Sequence, residues 1–315
     1  MATVGAIDCG TNSIRLLVAR EEGGRLIDLD RRMTVVRLGE GVDRTGMLSQ
    51  AALDRTFAAC ADYGDVLARH RVDRVRFAAT SASRDAANAA DFVAGVRAIL
   101  GVDPEVISGA EEAALSFLGA TRGVAHRQPV LVFDIGGGST EFVVGDDDRV
   151  RSAVSVDMGC VRFHERYLSS DPVGSEELDR LREAAGSLVD SALGEVDASG
   201  VADVIGLAGT VTTVAALALG LPEYDAAQIH GSRISAAQVT RVAEELAMLS
   251  VADRRALAVM HPGRADVIVS GAAILDVIMQ RIGADSLIAG EHDILDGLAW
   301  SLVEPGSGGP DTPSS

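Results

Sequence analysis

Apolar residues run through this chain in short stretches broken by glycine and acidic turns. Val4–Ile7 and Ile14–Arg20 read as strands, and Leu26–Leu38 holds a third. A helix follows from Ser49 to about Leu67, with Leu53, Phe57 and Cys60 on one face. Val72–Ala78 is a strand running into the polar segment Ala79–Ala86, which starts a helix capped by Ser81 or Ser83. Glu105–Ile107 is a short strand, and Ser108 opens the next helix. Beyond a junction at Gly123–Pro129, the run from Val130 to Val144 reads as strand, tight turn, strand. A helix at Val161–Leu168 precedes a long one capped by Ser175, with Glu176 and Glu177 in its first turn. Val204–Leu207 and Ser232–Ile234 are strands, each followed by a helix, from Thr210 and from Ser235. His261–Asp266 opens an apolar helix to about Ile282, Ser286–Ala289 is a last strand, and Asp293 caps a last helix through Val303. This alternation defines an α/β protein. The expected organisation is residues 1–125 as one unit and 126–303 as a second. A Pro-, Gly- and Ser-rich tail at 304–315 is expected to be disordered.

Two stretches repeat one pattern. Gly5 to Val18 is a strand, then Asp8-Cys9-Gly10-Thr11-Asn12-Ser13, then a second strand; Val130 to Val144 carries Asp134-Ile135-Gly136-Gly137-Gly138-Ser139 in the same place. Polar turns close both hairpins, at Glu21–Gly24 and Asp146–Asp148. Glycines let backbone N–H groups converge on an anion, and an aspartate at a strand end is placed to hold its metal. One Asp-x-Gly turn is most often only a hairpin. Two in matching contexts predict a duplicated fold with two facing phosphate loops.

Composition narrows the chemistry. The 315 residues, 47% hydrophobic, suffice for two ordinary domains. All 28 basic residues are arginine, which excludes a P-loop lysine, a kinase β3 lysine and a Schiff-base lysine. Phosphate must then be held by N–H groups, hydroxyls, metal and arginine. A net charge of −18 without a basic stripe argues against nucleic acid as a partner. Cys9, Cys60 and Cys160 are too few and scattered for a disulfide framework or zinc site, and no histidine spacing marks a metal. No signal peptide is evident, and the uncharged stretch Val204–Leu221 divides into strand and helix. A reduced, cytoplasmic protein without membrane association is expected.

The residues suggest further roles. Ser108 and Glu111 have capping-box spacing, which gives Glu111 a structural task. Glu112 has none, so it is the better candidate for a general base, a solvated helix position being the alternative. Arg84 reads either as a surface arginine, the reading preferred in isolation, or as a ligand reaching a phosphate. Gly206 to Thr213, a strand, a glycine turn and a helix start, is a third candidate anion site.

Taken together, these segments resemble the exopolyphosphatase/guanosine pentaphosphate phosphohydrolase (Ppx/GppA) family. The matching pieces are Asp8–Ser13, Ala79–Ala86, Ser108–Ala113, Asp134–Glu141, Gly209-Thr210 and Arg264-Ala265-Asp266, in family order. The resemblance implies two ribonuclease-H-like domains of the actin/Hsp70/sugar-kinase fold facing an interdomain cleft. It implies Glu112 as catalytic base, Asp134 as a Mg²⁺ ligand (Mn²⁺ being the alternative ion) and Asp8 as support for the metal or the water. Gly10, Thr11, Asn12, Ser13, Gly136, Gly137, Gly138, Ser139, Gly209 and Thr210 would bind phosphates, and Arg84 substrate. The expected activity is removal of terminal phosphate from inorganic polyphosphate, short chains preferred, since no long basic track is present. The alternatives are the 5′-phosphate of guanosine pentaphosphate or a nucleoside triphosphate, a sugar-kinase-like transferase, and a non-catalytic phosphate sensor. A homodimer is an open expectation. The family's Arg-Glu-Gly signature stands here as Leu295-Asp296-Gly297, after Glu291-His292-Asp293. That departure bears on substrate preference.

Overall fold

A computed structural model describes residues 2–146 and 149–303. The expected tail at 304–315 and the tip of the second hairpin, 147 and 148, lie outside the described residues.

Two sheets carry the fold. In the first, β1 (Thr3–Cys9), β2 (Ser13–Glu22) and β3 (Arg25–Val35) form an antiparallel meander. β4 (Arg74–Ala79) runs parallel to β1 and β5 (Glu105–Val106) parallel to β4, giving the order β3-β2-β1-β4-β5. The second sheet repeats this with β6 (Val130–Ile135), β7 (Thr140–Asp146), β8 (Arg149–Val156) and β9 (Asp203–Leu207). It is extended past β9 by β11 (Ser286–Ala289) and by antiparallel β10 (Arg233–Ser235). Even the bulge recurs, at Leu29 of β3 opposite Val18/Ala19 and at Arg151 of β8 opposite Val144/Gly145. The topology is that of two ribonuclease-H-like units. Central β1 and β6 are almost wholly buried, as continuous apolar runs covered on both faces must be. Edge strand β3 has no buried position and carries Asp28, Asp30, Arg31 and Arg32, charges that discourage pairing with another chain.

Helices cover these sheets. α1 (Val42–Thr45), α2 (Gln50–Arg69), α3 (Ser81–Asp85) and α4 (Ala89–Leu100) belong to the first unit. α5 (Gly109–Gly123) leads into the second, which adds α6 (Cys160–Tyr167), α7 (Ser175–Glu195), α8 (Ala208–Ala218), α9 (Ala226–Ile229), α10 (Ala236–Met248), α11 (Val251–Ala256) and α12 (Ile268–Ile282). Ser49 caps α2, accepting from Ala52 N at 3.2 Å. Other caps differ from expectation. Thr80, not Ser81 or Ser83, precedes α3, and both serines are buried within that helix. Gly174 rather than Ser175 caps α7, because Glu177 reaches back to the Gly174 N–H at 3.3 Å. Ser108 accepts from Glu111 N at 3.2 Å, but the Glu111 carboxylate pairs with Arg76 at 2.7 Å instead of closing the box. The segment 261–266 is a 3₁₀ turn, Pro262–Arg264, before α12 starts at Ile268. Arg254, only 1% exposed, holds that turn by donating to Ala265 O at 2.9 Å.

The last helix, α13 (Ile294–Val303), was read from the sequence as part of 126–303. Its apolar face, Ile294, Leu295, Leu298 and Ala299, shares a core with Val4, Ala6, Leu17, Ala19 and Ala78 of the first sheet. α5 turns Ala113, Phe117 and Ala120 onto the second sheet, against Val130, Val132 and Val143. The two helices cross each other between the sheets, and the crossing is close. A Cβ on Gly119 would lie 1.9 Å from Asp293 O, and one on Gly297 2.0 Å from Leu115 O.

Gly297→Ala should therefore lower stability by about 1–3 kcal/mol or more through overpacking, despite alanine's better helix propensity. Gly194→Ala in α7, where a Cβ meets nothing within 4 Å, should be neutral or stabilising. Urea unfolding midpoints of the two variants make the comparison. Equal midpoints would show that the crossing has room to relax.

Candidate active site

The hairpin turns after β1 and β6 face each other across a cleft of about 100 Å³. Each turn closes identically: Gly10 N donates to Ser13 O, and Gly136 N to Ser139 O, both at 3.0 Å. Five further loop carbonyls are bonded elsewhere. Thr11 O accepts from Gly39 N, and Asn12 O from Val36 N and Arg37 N. In the second loop, Gly136 O accepts from Cys160 N and Gly137 O from Val161 N and Arg162 N. Gly138 O takes Arg162 Nε at 2.7 Å. A peptide's C=O and N–H point in opposite directions. Holding the carbonyls on α6 and on the 36–39 segment therefore turns the Asn12, Gly137, Gly138 and Ser139 N–H groups away from those partners. Among the described residues they have no acceptor. The loops also touch: a Cβ on Gly137 would come within 2.8 Å of Thr11, so this contact needs glycine.

A third loop joins them where β9 meets α8. Ala208 adopts φ 69° and makes the turn, while Gly209 lies under Arg264, whose guanidinium would be 2.1 Å from a Cβ there. The expected glycine turn is thus made by alanine, and the glycine provides space.

Carboxylates gather at the cleft floor. Asp8 and Asp134 occupy equivalent positions near the ends of β1 and β6. Asp8 faces Arg15 across its hairpin and accepts from it at 2.6 and 3.0 Å. In the second hairpin the residue opposite Asp134 is not arginine but Glu141. Ser116 donates to Asp134 at 3.1 Å and Ser155 to Glu141 at 2.7 Å. Asp293, from the start of α13, takes the other arm of Arg15. Glu112, in the first turn of α5, accepts from Arg84 at 2.8 Å. Burial pushes Glu112 up to about 7 against the pull of Arg84. Burial, then the Asp293 charge, pushes Asp134 up to about 8. Glu141 is raised further by burial and by Glu112 and Asp134.

This gathering of acids fits a cation, beside which they would ionise. Asp8 Oδ1 is buried without any partner, and Asp134 keeps only a serine. No three His, Cys, Asp or Glu side chains form a ready cage among the described residues. Mg²⁺ needs none, since it commonly takes one or two carboxylates and completes its shell with water and phosphate oxygens. Asp8 and Asp134 are the carboxylates that could hold such an ion.

Of the residues read from the sequence, Asp8, Gly10, Thr11, Asn12, Ser13, Glu112, Asp134, Gly136, Gly137, Ser139, Gly209 and Thr210 line the cleft. Gly138 and Arg84 do not. Gly138 is turned to Arg162, and Arg84 is committed to Glu112 and to Ile107 O at 3.0 Å. Sequence reasoning gave Asp293 only a capping role and made none of Arg15, Glu141, Asp293 or Arg264 a site residue. A signal existed for two of them: counting back from the Gly–Ser closure pairs Asp8 with Arg15 and Asp134 with Glu141.

Two facing ribonuclease-H-like units around an acidic cleft define an actin-like two-domain protein. A model of the Ppx/GppA phosphatase family matches residues 17–304, and the chain belongs to that family. It is 45% identical over 317 residues to exopolyphosphatase 2 of Mycobacterium tuberculosis, covering 96% of this chain and 99% of that protein. The solved structure of an exopolyphosphatase-like protein is 40% identical, with a TM-score of 0.92 over 96% of this chain and 98% of that one. The Aquifex aeolicus Ppx/GppA member is 29% identical, with a TM-score of 0.83 over 97% and 99%.

The raised carboxyls set a pH dependence of stability. Folded Asp134 keeps its proton up to about 8 and Glu112 up to about 7, whereas the unfolded chain releases both near 3.8 and 4.5. The folded state thus holds extra protons in that window. Their stabilisation is complete below it and is lost as pH rises through the folded values. Without divalent cations, Tm should fall between about pH 5.5 and 8.5, and Asp134→Asn should flatten the fall. An unchanged slope in that variant would remove Asp134 from the account.

Proposed function

We propose that this protein is an exopolyphosphatase, hydrolysing the terminal phosphoanhydride of inorganic polyphosphate with Mg²⁺. The observation that carries this reading is Glu112, a carboxylate only 12% exposed in a cleft bordered by two loops most of whose carbonyls are bonded away. The 45% identity to a protein named exopolyphosphatase supports it over the guanosine pentaphosphate alternative.

The residues divide the work by charge. N–H groups of the two loops and the start of α8 receive phosphate oxygens. Asp8 and Asp134 would hold Mg²⁺, which when bound offsets the negative charge of the terminal phosphoryl group. Glu112 orients a water and takes its proton as the water oxygen bonds to the terminal phosphorus. The bridging P–O bond breaks, and its electron pair leaves on the shortened chain. Arg84 keeps Glu112 in place. Arg15 stays divided between Asp8 and Asp293.

A short-chain preference follows from the neighbouring pocket, of about 460 Å³, which opens past Arg15 and Arg264. Four arginines line it, but three are already paired. Arg15 serves Asp8, Arg31 serves Asp28 and Asp296, and Arg32 serves Asp30. Only Arg264 has no carboxylate within ion-pair distance among the described residues. One free guanidinium cannot retain a long polyanion, so affinity rests on the first few phosphates. No helix is long and apolar enough to cross a membrane among the described residues.

Phosphate release from a panel of short and long polyphosphates, ATP and guanosine pentaphosphate tests the function. Release from polyphosphate should require Mg²⁺ and stop in EDTA; full activity in chelator would overturn the metal's role. A long chain stopped midway should show a ladder of intermediate lengths on a gel. Uncut chains and orthophosphate alone would mean the enzyme stays attached, against the short-chain reading.

Glu112→Gln should lower kcat about 10²–10⁴-fold while the protein stays folded. Glu111→Gln should be mild, because Glu111 is an exposed partner of Arg76 outside the cleft. Steady-state kinetics of the pair decide between them, and the reverse pattern would sink the assignment.

A further inference from the structure

Arg162, on α6, belongs to none of the groups that face the cleft. Its side chain is 11% exposed, and its guanidinium bonds in three directions. Nε donates to Gly138 O at 2.7 Å, Nη1 to Asp43 Oδ1 at 2.7 Å, and Nη2 to Asp85 Oδ2. Asp157 lies 3.7 Å away. Gly138 is in the second unit's phosphate loop, whereas Asp43 and Asp85 belong to α1 and α3 of the first unit. Two further contacts follow the same seam: Arg166 also pairs with Asp43, and Glu165 Oε1 accepts from Gly41 N at 3.0 Å. Asp43 sits in the four-residue α1, bracketed by Gly41 and Gly46, both left-handed at φ 77° and 68°. Such a bracket lets a short arm be placed independently of its neighbours.

We infer that Arg162 is a positioning residue that couples closure of the cleft to the shape of the second phosphate loop. The inference rests on the reading that this loop holds phosphate. One guanidinium satisfies Gly138, Asp43 and Asp85 together only while the two units are closed on each other. When they part, Arg162 must leave either the aspartates or the carbonyl. A released Gly138 carbonyl can rotate, and the Ser139 N–H on the same peptide plane rotates with it. The loop then presents oxygen where phosphate needs a donor. Linkage makes the coupling reciprocal: an anion that holds the loop in its donor-forward shape favours the closed clasp. Arginine suits the position because its planar fork serves several acceptors at once, whereas a lysine ammonium is a compact point charge.

The test uses the full chain with spin labels at Asp65→Cys and Glu183→Cys, exposed positions of α2 and α7, one in each unit. The native cysteines are buried and should resist labelling. Distances are measured with and without inorganic phosphate. The parent should shift to a narrower, closed distribution with phosphate. Arg162→Lys should keep its Tm, stay broad in phosphate, and show a KM for short polyphosphate raised about 10- to 100-fold, with kcat less affected. Asp43→Asn touches no loop atom, provides the same test should Arg162→Lys misfold, and should show the same pattern more weakly. Distances and KM like the parent's in both variants would overturn the inference, as would a parent whose distances ignore phosphate. Failure of the parent to release phosphate from polyphosphate would instead count against the proposed function, and the distances would still judge the clasp.

Discussion

A binding site made from backbone depends on where the carbonyl oxygens go. Every peptide that offers an N–H to an anion also carries an oxygen that would repel it. In this chain the conflict is resolved by giving those oxygens other partners. The first turn of α6 takes the carbonyls of Gly136 and Gly137, Arg162 takes that of Gly138, and the 36–39 segment takes those of Thr11 and Asn12. The N-terminus of α6 is therefore used to shape a loop rather than to bind a ligand itself. The absence of lysine makes this arrangement more consequential, because no flexible ammonium is available to compensate for a misdirected peptide.

The duplicated hairpins show how one scaffold yields two different electrostatic sites. Asp8 and Asp134 are equivalent by register. Their cross-strand neighbours are not: arginine stands opposite the first and glutamate opposite the second. Asp8 is thereby compensated through one oxygen, with the other left unpartnered. Asp134 shares a buried region with Glu141 and rises to about 8. The asymmetry gathers acids that keep their protons on one side of the cleft, where a hard cation would favour their ionised forms. Asp293 links this centre to the architecture. It caps α13 through one oxygen and holds Arg15 through the other, so the helix wedged between the sheets also sets the charge beside Asp8.

Strands, helix starts and the internal repeat were legible because each depends on local chemistry: runs of β-formers, Ser49 and Ser108 as caps, and glycine where two loops turn sharply. The misread features have non-local causes. Glu111 was expected to close a capping box, but Arg76, 35 positions earlier in sequence, outcompetes the local N–H. Ser175 looked like a cap, but Glu177 found the Gly174 N–H first. Arg84 was open between surface and substrate. In this structure β4 and α5 bring it to Glu112, a contact that neither reading contained.

What the sequence alone determined is the repeated strand–loop–strand unit, its glycines and acids, and the exclusion of every lysine-dependent chemistry. Those follow from residue types and their spacing over a few positions. What only the tertiary structure decided is which charges meet. Arg15 lies between acids 7 and 278 positions away, and Arg162 ties a glycine 24 positions back to aspartates 77 and 119 positions back. The same sequence contains 46 acidic residues that those arginines might have met. Strand register, the α5–α13 crossing and closure of the two sheets select among them, because ion pairs are set by position in space and carry no signature in spacing along the chain.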